Sequence, residues 1–345
     1  MKQYSKKYKI GYYIHHHGDG HRQRALAIAS YAPEYFTLLG TNLAGNCDNF
    51  DYIDLEDDKV APGYRRHNEY LVATHYTPIG VSSIKQLVQR ITQWIAKTEP
   101  ALIVVDVSVE IAMLARLCST PTIYVRLTGN RLDTAHIEAF SNANALLCPY
   151  HRLLEANDTP DWIIKKSHFF SNLTQFYNKQ KNQQKIITIV LGAGGHDLSI
   201  DRLIEIARQL PLWQLEVIGP IDAKKTTQPL PKNLKLNGWV KNPETYIQKA
   251  NLVIGSSGDG LLANVISANK PYICLPQRRP FEEQWAKAKR LQEIGAAIVP
   301  QGTTINWAEL VTQTLNKGNL MGLLQDGQDA AKAAQFILTT AHGSL

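Results

Sequence analysis

Three short loops that contain glycine have the residue types of a phosphate site. They span residues 18–21, 192–196 and 255–260, and each lies between a predicted strand and a predicted helix. Small residues let the backbone come close to a ligand, and a helix N-terminus offers free N–H groups and about half a positive charge. None of the loops contains GxGxxG or GK[ST]. They therefore predict phosphate contacts without supporting a dinucleotide dehydrogenase or a P-loop kinase.

His21 is the residue of this set best placed for acid–base chemistry. It follows a Gly-Asp-Gly turn at the start of a predicted helix, where its side chain would project beyond the ends of the strands. An imidazole there can accept a proton, which makes His21 a candidate for catalysis. Asp106 ends another predicted strand, and three roles are open to it: to orient a base, to hold the acceptor, or to cap the helix that begins near Ser108.

The sequence does not predict a metal site. His15, His16 and His17 are consecutive, so their side chains would point to opposite faces of a strand, and no carboxylate lies nearby at ligand spacing. The four cysteines, at positions 47, 118, 148 and 274, form no CxxC pair. Such spacing is typical of a reducing compartment, and we expect these cysteines to be buried as small apolar residues.

Length and composition indicate two globular domains. The chain has 345 residues, 44% of them hydrophobic, which is enough for two cores. The net charge of +7 is spread along the chain, so nucleic acid is not an expected partner. The longest apolar stretch, residues 101–117, is interrupted by charged residues, and the N-terminus lacks an apolar signal core. We therefore expect a cytoplasmic protein without a transmembrane helix.

Strand-like and helix-like stretches alternate along the chain, which favours an α/β fold with parallel sheets. The first series of predicted strands is 9–16, 35–39, 101–106, 122–126 and 145–148, with helices at 21–30, 82–97, 108–117 and 133–142. The pattern restarts with predicted strands at 186–191, 214–218, 252–255, 271–275 and 296–299, and helices at 199–209, 243–249, 260–268, 281–293 and 307–315.

Two Rossmann-like domains that face each other across a central cleft are the simplest interpretation of this repeated pattern. We expect a first domain over 1–171, a polar linker over 172–184, a second domain over 185–327 and a C-terminal helix over 328–345 that packs back on the first domain. Ligands of such sheets bind beyond the carboxyl ends of the strands, so functional residues of both halves should lie along the cleft.

The motifs resemble those of GT-B glycosyltransferases, and most closely glycosyltransferase family 28, which contains the peptidoglycan lipid-intermediate N-acetylglucosaminyltransferase. The string Gly-x-Gly-His-x-x-Arg that ends at Arg24 is similar to one found in sugar-nucleotide enzymes. The second half carries a more specific series in the order and spacing of the family: 238–243, 250–260, Lys270-Pro271, Leu275-Pro276, Glu283-Gln284, Ala288 and 295–297.

The resemblance implies that the second domain binds a nucleoside-diphosphate sugar as a substrate, with a leaning to UDP, and that no further cofactor is needed. The base would lie against the backbone at Trp239 and Val240, and the family's glutamate for the ribose is replaced here by Asn264, which forms weaker hydrogen bonds to a diol. The full donor set that the resemblance implies is Gly20, Gly194, Gly195, Trp239, Val240, Ser256, Ser257, Gly258, Asp259, Asn264, Glu283 and Gln284.

The same resemblance implies an inverting and metal-independent transfer of a hexose or N-acetylhexosamine to a cell-envelope glycan or lipid-linked acceptor. His21 would be the catalytic base that takes the proton, with Asp19 as its rival. The helix after the donor loop would stabilise the leaving diphosphate, and the first domain would hold the acceptor. Polar candidates for acceptor binding are Arg24, Arg65, Arg126 and Arg131. The positive net charge is compatible with peripheral contact with an anionic membrane surface.

Three alternatives stay open at the level of sequence. A sugar-nucleotide hydrolase would use the same histidine to activate water, and an epimerase would isomerise the donor without an acceptor. A non-catalytic subunit that binds sugar nucleotides is the third alternative, because Asn264 replaces the family's ribose carboxylate.

Overall fold

Two parallel β-sheets organise the chain in the computed structural model, which describes residues 8–16, 19–60, 72–171, 173, 185–192, 195–302, 304–327 and 329–343. The first sheet has seven strands in the order β3-β2-β1-β4-β5-β6-β7. Its strands are β1 Ile10–Ile14, β2 Phe36–Gly40, β3 Asp51–Asp54, β4 Leu102–Asp106, β5 Thr122–Val125, β6 Ala145–Cys148 and β7 Ser167–Phe169. The second sheet has five strands in the order β10-β9-β8-β11-β12. They are β8 Ile186–Val190, β9 Gln214–Ile218, β10 Leu234–Gly238, β11 Leu252–Gly255 and β12 Tyr272–Cys274.

Helices connect the parallel strands and cover both sheets, as parallel pairing requires. They are α1 Asp19–Ala29, α2 Ser82–Thr98, α3 Val109–Leu117, α4 Thr134–Asn142, α5 Asp161–Lys166, α6 Ile200–Gln209, α7 Pro243–Lys249, α8 Asp259–Ala268, α9 Glu283–Glu293, α10 Trp307–Asn316 and α11 Ala330–His342. No described helix combines the length and apolarity needed to cross a membrane. The predicted α/β class with two Rossmann-like domains is confirmed.

Sequence reasoning missed the strands at the sheet edges. β3 and β7 are the two edges of the first sheet, and β10 is one edge of the second. β3 and β7 contain no fully buried residue, and β10 contains only one. Edge strands are covered less completely, so they lack the continuous apolar runs that mark central strands. The predicted strand at 296–299 is only a bridge between Ile273 and Ile298.

Helix α11, at the end of the chain, packs against the first sheet. Ala330, Ala333 and Ile337 belong to the same buried cluster as Ile10 of β1 and Ile28 of α1. The helix therefore returns from the second half of the chain and completes the core on one face of the first sheet.

Candidate active site

His21 and Asp106 form a hydrogen-bonded pair at the carboxyl end of the first sheet. β1 and β4 are neighbours in the sheet, so Asp106 at the end of β4 comes next to α1, which follows β1. Nδ1 of His21 lies 3.0 Å from Oδ1 of Asp106. The carboxylate is fully buried, whereas 15% of the His21 side chain remains exposed. The fold thus brings together two of the three predicted catalytic residues.

The surroundings of Asp106 determine which nitrogen of His21 carries the proton. Burial alone would raise the pKa of Asp106, but the positive charge of Arg24 and the contact with His21 lower it to about 2. Nη2 of Arg24 donates to both carboxylate oxygens, at 2.9 and 3.0 Å. An ionised carboxylate only accepts, so Nδ1 of His21 donates its hydrogen to Asp106. Nη2 of Arg24 also lies 2.9 Å from Nδ1, and we assign its hydrogens to the carboxylate of Asp106. In this tautomer Nε2 of His21 carries the lone pair of a base.

The backbone after Asp106 is strained, as is common at functional sites. Val107 has φ 56°, a left-handed conformation that is costly for a β-branched residue. The hydroxyl of Tyr124 donates to the Val107 carbonyl at 2.6 Å and holds this turn. Ser108, not Asp106, is the N-cap of α3, because its side chain accepts from the Ile111 N–H. Of the three predicted roles for Asp106, the geometry therefore contradicts capping and favours orienting the base.

Arg24 connects this pair to the second domain. Its Nη1 lies 3.6 Å from Oδ2 of Asp259, the first residue of α8. Arg24 was predicted to contact the acceptor and Asp259 the donor. In the structure Arg24 is buried and paired with Asp106, and Asp259 accepts from Lys287, so both side chains already have partners within the protein. We assign Arg24 and Asp259 to positioning, as an ion pair between the base and the donor loop.

Lys287 is a central residue of the site that sequence reasoning missed. Its side chain is almost fully buried, and its ammonium contacts Asp259 and, at 3.2 Å, Oε1 of Glu283. Burial would lower the pKa of Lys287, but the two carboxylates outweigh burial and raise it. Glu283 also lies 3.5 Å from Arg131 of the first domain. The only sequence signal was the spacing of four residues between Glu283 and Lys287, which places the two side chains on one helix face.

The predicted donor loop ends at the N-terminus of α8. Gly258 is the N-cap and has no side chain to cap the helix, so the first N–H groups point out of the helix end. Ser257 is fully buried, and its hydroxyl donates to the Gln284 carbonyl at 2.6 Å. Gln284 in turn accepts from the Gln277 N–H at 2.8 Å. These side chains hold the loop in place. The backbone N–H groups at Ser257 and Gly258 are the groups predicted to bind the diphosphate.

The other predicted donor residues lie around this loop at varied depths. The carbonyl of Ser256 accepts from the Tyr272 hydroxyl at 2.6 Å, and Asn264 lies partly exposed on α8. Trp239, after β10, is 70% exposed, and Val240 beside it is partly buried. A side chain at Gly20 would meet open space, and Gly195 accepts at 3.4 Å from Arg279. Gly194, Arg65 and the side chain of Asp19 lie outside the described residues.

The comparisons with known proteins concern the second half of the chain first. The profile described as the glycosyltransferase family 28 C-terminal domain matches residues 172–341. We call this matched half of the chain the family 28 domain. No curated protein matches the chain at a significant level. The predicted relationship to family 28 is confirmed, and the matched family supports glycosyl transfer as the chemistry.

Solved structures of glycosyltransferases are similar to the whole chain. MurG from Acinetobacter baumannii has 15% identity and a TM-score of 0.64 over 97% of this chain and 99% of its own. SnogD from Streptomyces nogalater has 13% identity and a TM-score of 0.65 over 97% and 99%. The spinosyn rhamnosyltransferase SpnG has 14% identity and a TM-score of 0.67 over 96% and 99%. At this level of identity the likeness establishes the fold that the first domain and the family 28 domain form together.

Phe281 joins the family 28 domain to the first domain. Its ring lies 4.8 Å from the Arg131 guanidinium and makes an edge contact with His136 at 4.7 Å. Phe281 and Glu282 both have left-handed backbones, with φ of 59° and 54°, which costs about 1–3 kcal/mol for each residue. The Phe281 carbonyl accepts from the Asn130 N–H at 2.7 Å. Arg131, predicted to bind the acceptor, instead helps to hold this contact between the domains.

Arg126 also has a different role from the predicted one. It is buried, and its guanidinium pairs with Glu155 through both terminal nitrogens. Glu155 accepts further hydrogen bonds from Tyr150 and Thr159. Because this guanidinium is committed inside the first domain, the structure corrects the assignment of Arg126 to the acceptor.

Two histidines and an aspartate near Phe281 have donor atoms close enough to suggest a cation site. His75, Asp133 and His136 offer atoms within 4.8 Å of one another. However, Arg131 Nη1 lies 3.1 Å from Nε2 of His136, which must therefore accept. The proton of His136 is then on Nδ1, where it is donated to Asp133 at 2.5 Å. This tautomer has no lone pair on Nδ1 for a metal ion, so the donor set does not fit one.

The free energy of unfolding should fall as the pH drops from 6.5 to 4, because of His136. Burial lowers the pKa of His136 from 6.5 to about 4, although Asp133 favours the protonated form. The unfolded chain therefore binds this proton at a higher pH than the folded protein does, and acid favours unfolding in this interval. Urea unfolding at a series of pH values measures how steeply the free energy of unfolding changes with pH. His136→Gln should make this dependence less steep. The exposed His342→Gln is the control, and an equal slope in both variants would contradict the assignment.

Proposed function

We propose that the protein is an inverting glycosyltransferase that moves a hexose or N-acetylhexosamine from a UDP-sugar to an acceptor hydroxyl. The observation that carries this proposal is the His21–Asp106 pair, which is tied through Arg24 to Asp259 at the start of the donor-loop helix. A base in one domain and a helix N-terminus in the other thus lie on the two sides of one reaction centre. The family 28 match of the second domain supports the same assignment.

In the proposed reaction the acceptor hydroxyl gives its proton to Nε2 of His21. The acceptor oxygen forms a bond to the anomeric carbon from the face opposite the diphosphate, and the bond from that carbon to the diphosphate oxygen breaks. The electron pair leaves with the diphosphate. Asp106 holds the imidazole and stabilises its positive charge after proton transfer. The N–H groups at the start of α8 stabilise the negative charge that develops on the leaving group, and no divalent ion is required in this scheme.

UDP-sugars should stabilise the protein more than other nucleotide sugars. UDP-GlcNAc, UDP-GalNAc and UDP-galactose come first in this proposal, with GDP-sugars and dTDP-sugars as comparison ligands. A ligand present at 100 times its dissociation constant adds about 2.7 kcal/mol to the free energy of unfolding. A thermal-shift panel measures this effect, and Asn264→Ala should reduce it. The structure of SpnG with thymidine diphosphate makes dTDP-sugars the main competitor, and a panel without any shift would reject the proposal.

A sugar-nucleotide hydrolase is the second candidate, because a water molecule at Nε2 of His21 would be activated in the same way. Release of nucleotide and free sugar in the absence of an acceptor would identify it. Three further points stay predictions that rest on the resemblance and the net charge. They are a cell-envelope glycan or glycolipid as the acceptor, a cytoplasmic location, and peripheral contact with an anionic membrane.

A further inference from the structure

A continuous chain of ion pairs links the proposed base to the donor loop. It begins at Asp106, which holds His21, and each side chain contacts the next. The chain alternates carboxylates with cations, in the order Asp106, Arg24, Asp259, Lys287, Glu283 and Arg131. Its side-chain charges therefore sum to zero at neutral pH, and every cation of the chain already faces a carboxylate.

Asp259 is the carboxylate of this chain that lies in the first turn of α8. Oδ1 accepts from the ammonium of Lys287, and Oδ2 lies 3.6 Å from Nη1 of Arg24. Burial would raise the pKa of Asp259, but the charges of Lys287 and Arg24 outweigh burial and lower it. The carboxylate is therefore ionised at neutral pH, and 25% of the side chain remains exposed.

The proposed reaction places the leaving diphosphate next to this carboxylate. The diphosphate accepts from the N–H groups at the start of α8, the turn that carries Asp259. Arg24 contacts Asp259 on one side and Asp106, the partner of His21, on the other. The anomeric carbon has to lie between the imidazole and this helix end, and the terminal phosphate adjoins that carbon. Asp259 therefore faces the phosphate that becomes the free end of the nucleotide when the sugar leaves.

The donor and the product of the transfer differ in charge at that phosphate. In a nucleoside-diphosphate sugar each phosphate is linked on two sides and carries one negative charge. The terminal phosphate of the free nucleoside diphosphate is linked on one side only, and such a group has a second pKa of about 6 and a charge of roughly −1.5 to −2 at pH 7. A carboxylate close to this group repels the product more strongly than the donor.

Two further arginines near the donor loops lie outside the ion-pair chain. Arg278 is exposed, and Nη2 of Arg279 donates to the Gly195 carbonyl at 3.4 Å, at the other glycine loop of this domain. Both attract the free and the sugar-linked diphosphate, in the unaltered protein and in variants of Asp259 alike. Removal of the Asp259 carboxylate therefore isolates its own contribution to the discrimination.

We propose that Asp259 is a specificity-determining residue whose carboxylate weakens binding of the free nucleoside diphosphate relative to the sugar-linked form. The inference rests on the proposed glycosyl transfer and concerns the release of its product. In the transfer the acceptor proton goes to Nε2 of His21, and the electron pair of the broken bond stays on the terminal phosphate. The product thus gains the charge that Asp259 repels, whereas the N–H groups of α8 offset this repulsion while the charge develops.

A matched pair of nucleotides tests the proposal without a choice of sugar. UDP and its methyl ester at the terminal phosphate differ by one methyl group and by the second ionisation. Isothermal titration calorimetry near pH 7.5 measures both affinities, and dTDP with its methyl ester is the pair to use if thermal shifts favour dTDP. Asp259→Asn should tighten UDP binding about tenfold or more and methyl-ester binding less than about threefold. Inhibition of transfer by added UDP should strengthen in parallel.

Variants separate charge from structure. Lys287→Met removes the cation that faces Asp259, so it should weaken UDP relative to the methyl ester, and the double variant should lie near the unaltered protein. Asp259→Ser removes the same charge and replaces Asp259→Asn if that variant does not fold. Glu309→Gln is the control, because Glu309 is an exposed acidic residue in the first turn of α10, and its ratio of affinities should not change.

The outcomes distinguish this inference from the proposed function. Equal changes for UDP and its methyl ester in the Asp259 variants would mean that Asp259 acts only on the orientation of the domains, and would overturn the inference. The proposed function would survive that result. A protein that binds neither of the two nucleoside diphosphates nor their sugars would instead lose the proposed function, and the inference with it.

Discussion

Replacing His21 with alanine should lower the rate of sugar transfer by about 100-fold or more, while stabilisation by the donor stays near that of the unaltered protein. General base catalysis typically contributes between about 10²-fold and 10⁴-fold. His21 carries the free lone pair at Nε2, because Asp106 holds the proton of Nδ1. The turnover rate at saturating donor measures the effect, and the thermal shift with donor reads binding separately.

The controls for this prediction separate catalysis from folding. His342 is exposed at the end of α11, so His342→Ala should leave the rate unchanged. Asp106→Asn should lower the rate as well, because an amide does not fix the tautomer of His21 as a carboxylate does. Full transfer activity of His21→Ala would indicate a different base, and Asp19→Asn would then be the variant that loses activity. Donor binding without any transfer by the unaltered protein would indicate a non-catalytic binding protein.

The central elements of both domains could be predicted from the sequence because their burial is nearly complete. β1, β4 and β8 are mostly apolar, with Asp106 at the end of β4 and Thr188 inside β8 as polar residues, and every residue of β1 and β4 is buried. Such a run between polar turns indicates a buried strand with little ambiguity. β3 has the sequence Asp-Tyr-Ile-Asp, and its partial exposure removes that signal. Local sequence therefore predicts the centre of each sheet better than its edges.

The proximity of His21 and Asp106 could be anticipated because it depends on the order of elements in the sheet. The ends of adjacent parallel strands meet at one edge, so placing Asp106 and His21 after β4 and β1 was enough to predict their proximity. The partners of Arg24 and Asp259 could not be predicted in this way. Arg24 lies 82 residues from Asp106, and Asp259 lies 28 residues from Lys287. Each of these two pairs lies within one domain and joins side chains far apart in the chain. The contact of Arg24 with Asp259 also depends on how the two domains meet, which no local pattern encodes.

The charged side chains at the contact between the domains are compensated in pairs. Arg24 faces Asp259, and Arg131 faces Glu283, at 3.6 and 3.5 Å. Lys287 contacts both Asp259 and Glu283, so it joins the two pairs within the family 28 domain. Removing one partner would leave a charge uncompensated in a largely buried site, which is typically more costly than the pair is favourable. We therefore interpret these pairs as features that fix the orientation of the two domains.

Among glycine-to-alanine changes at the contact between the two domains, Gly129→Ala should disturb the relative orientation of the domains most. A Cβ at Gly129 would lie 2.3 Å from the Phe281 carbonyl oxygen and 3.0 Å from the Glu283 Cα, both of them backbone atoms. The residue also has φ +103°, a conformation that alanine rarely adopts. The loop that carries Phe281 would have to move away, and the Asn130 N–H would lose its 2.7 Å hydrogen bond to Phe281.

Because the same movement displaces Glu283 and Lys287, kcat/KM for the donor should fall at least tenfold in Gly129→Ala, which corresponds to about 1.4 kcal/mol. Gly45→Ala is the matched control, since Gly45 also has a positive φ, +72°, but no atom lies within 4 Å of its added Cβ. It shares the backbone strain and lacks the collision, so its kcat/KM should stay within about twofold of the unaltered protein. Equal losses in both variants would mean that strain alone acts. The close approach of Gly129 to Phe281 would then not be what positions the donor domain for the His21 base.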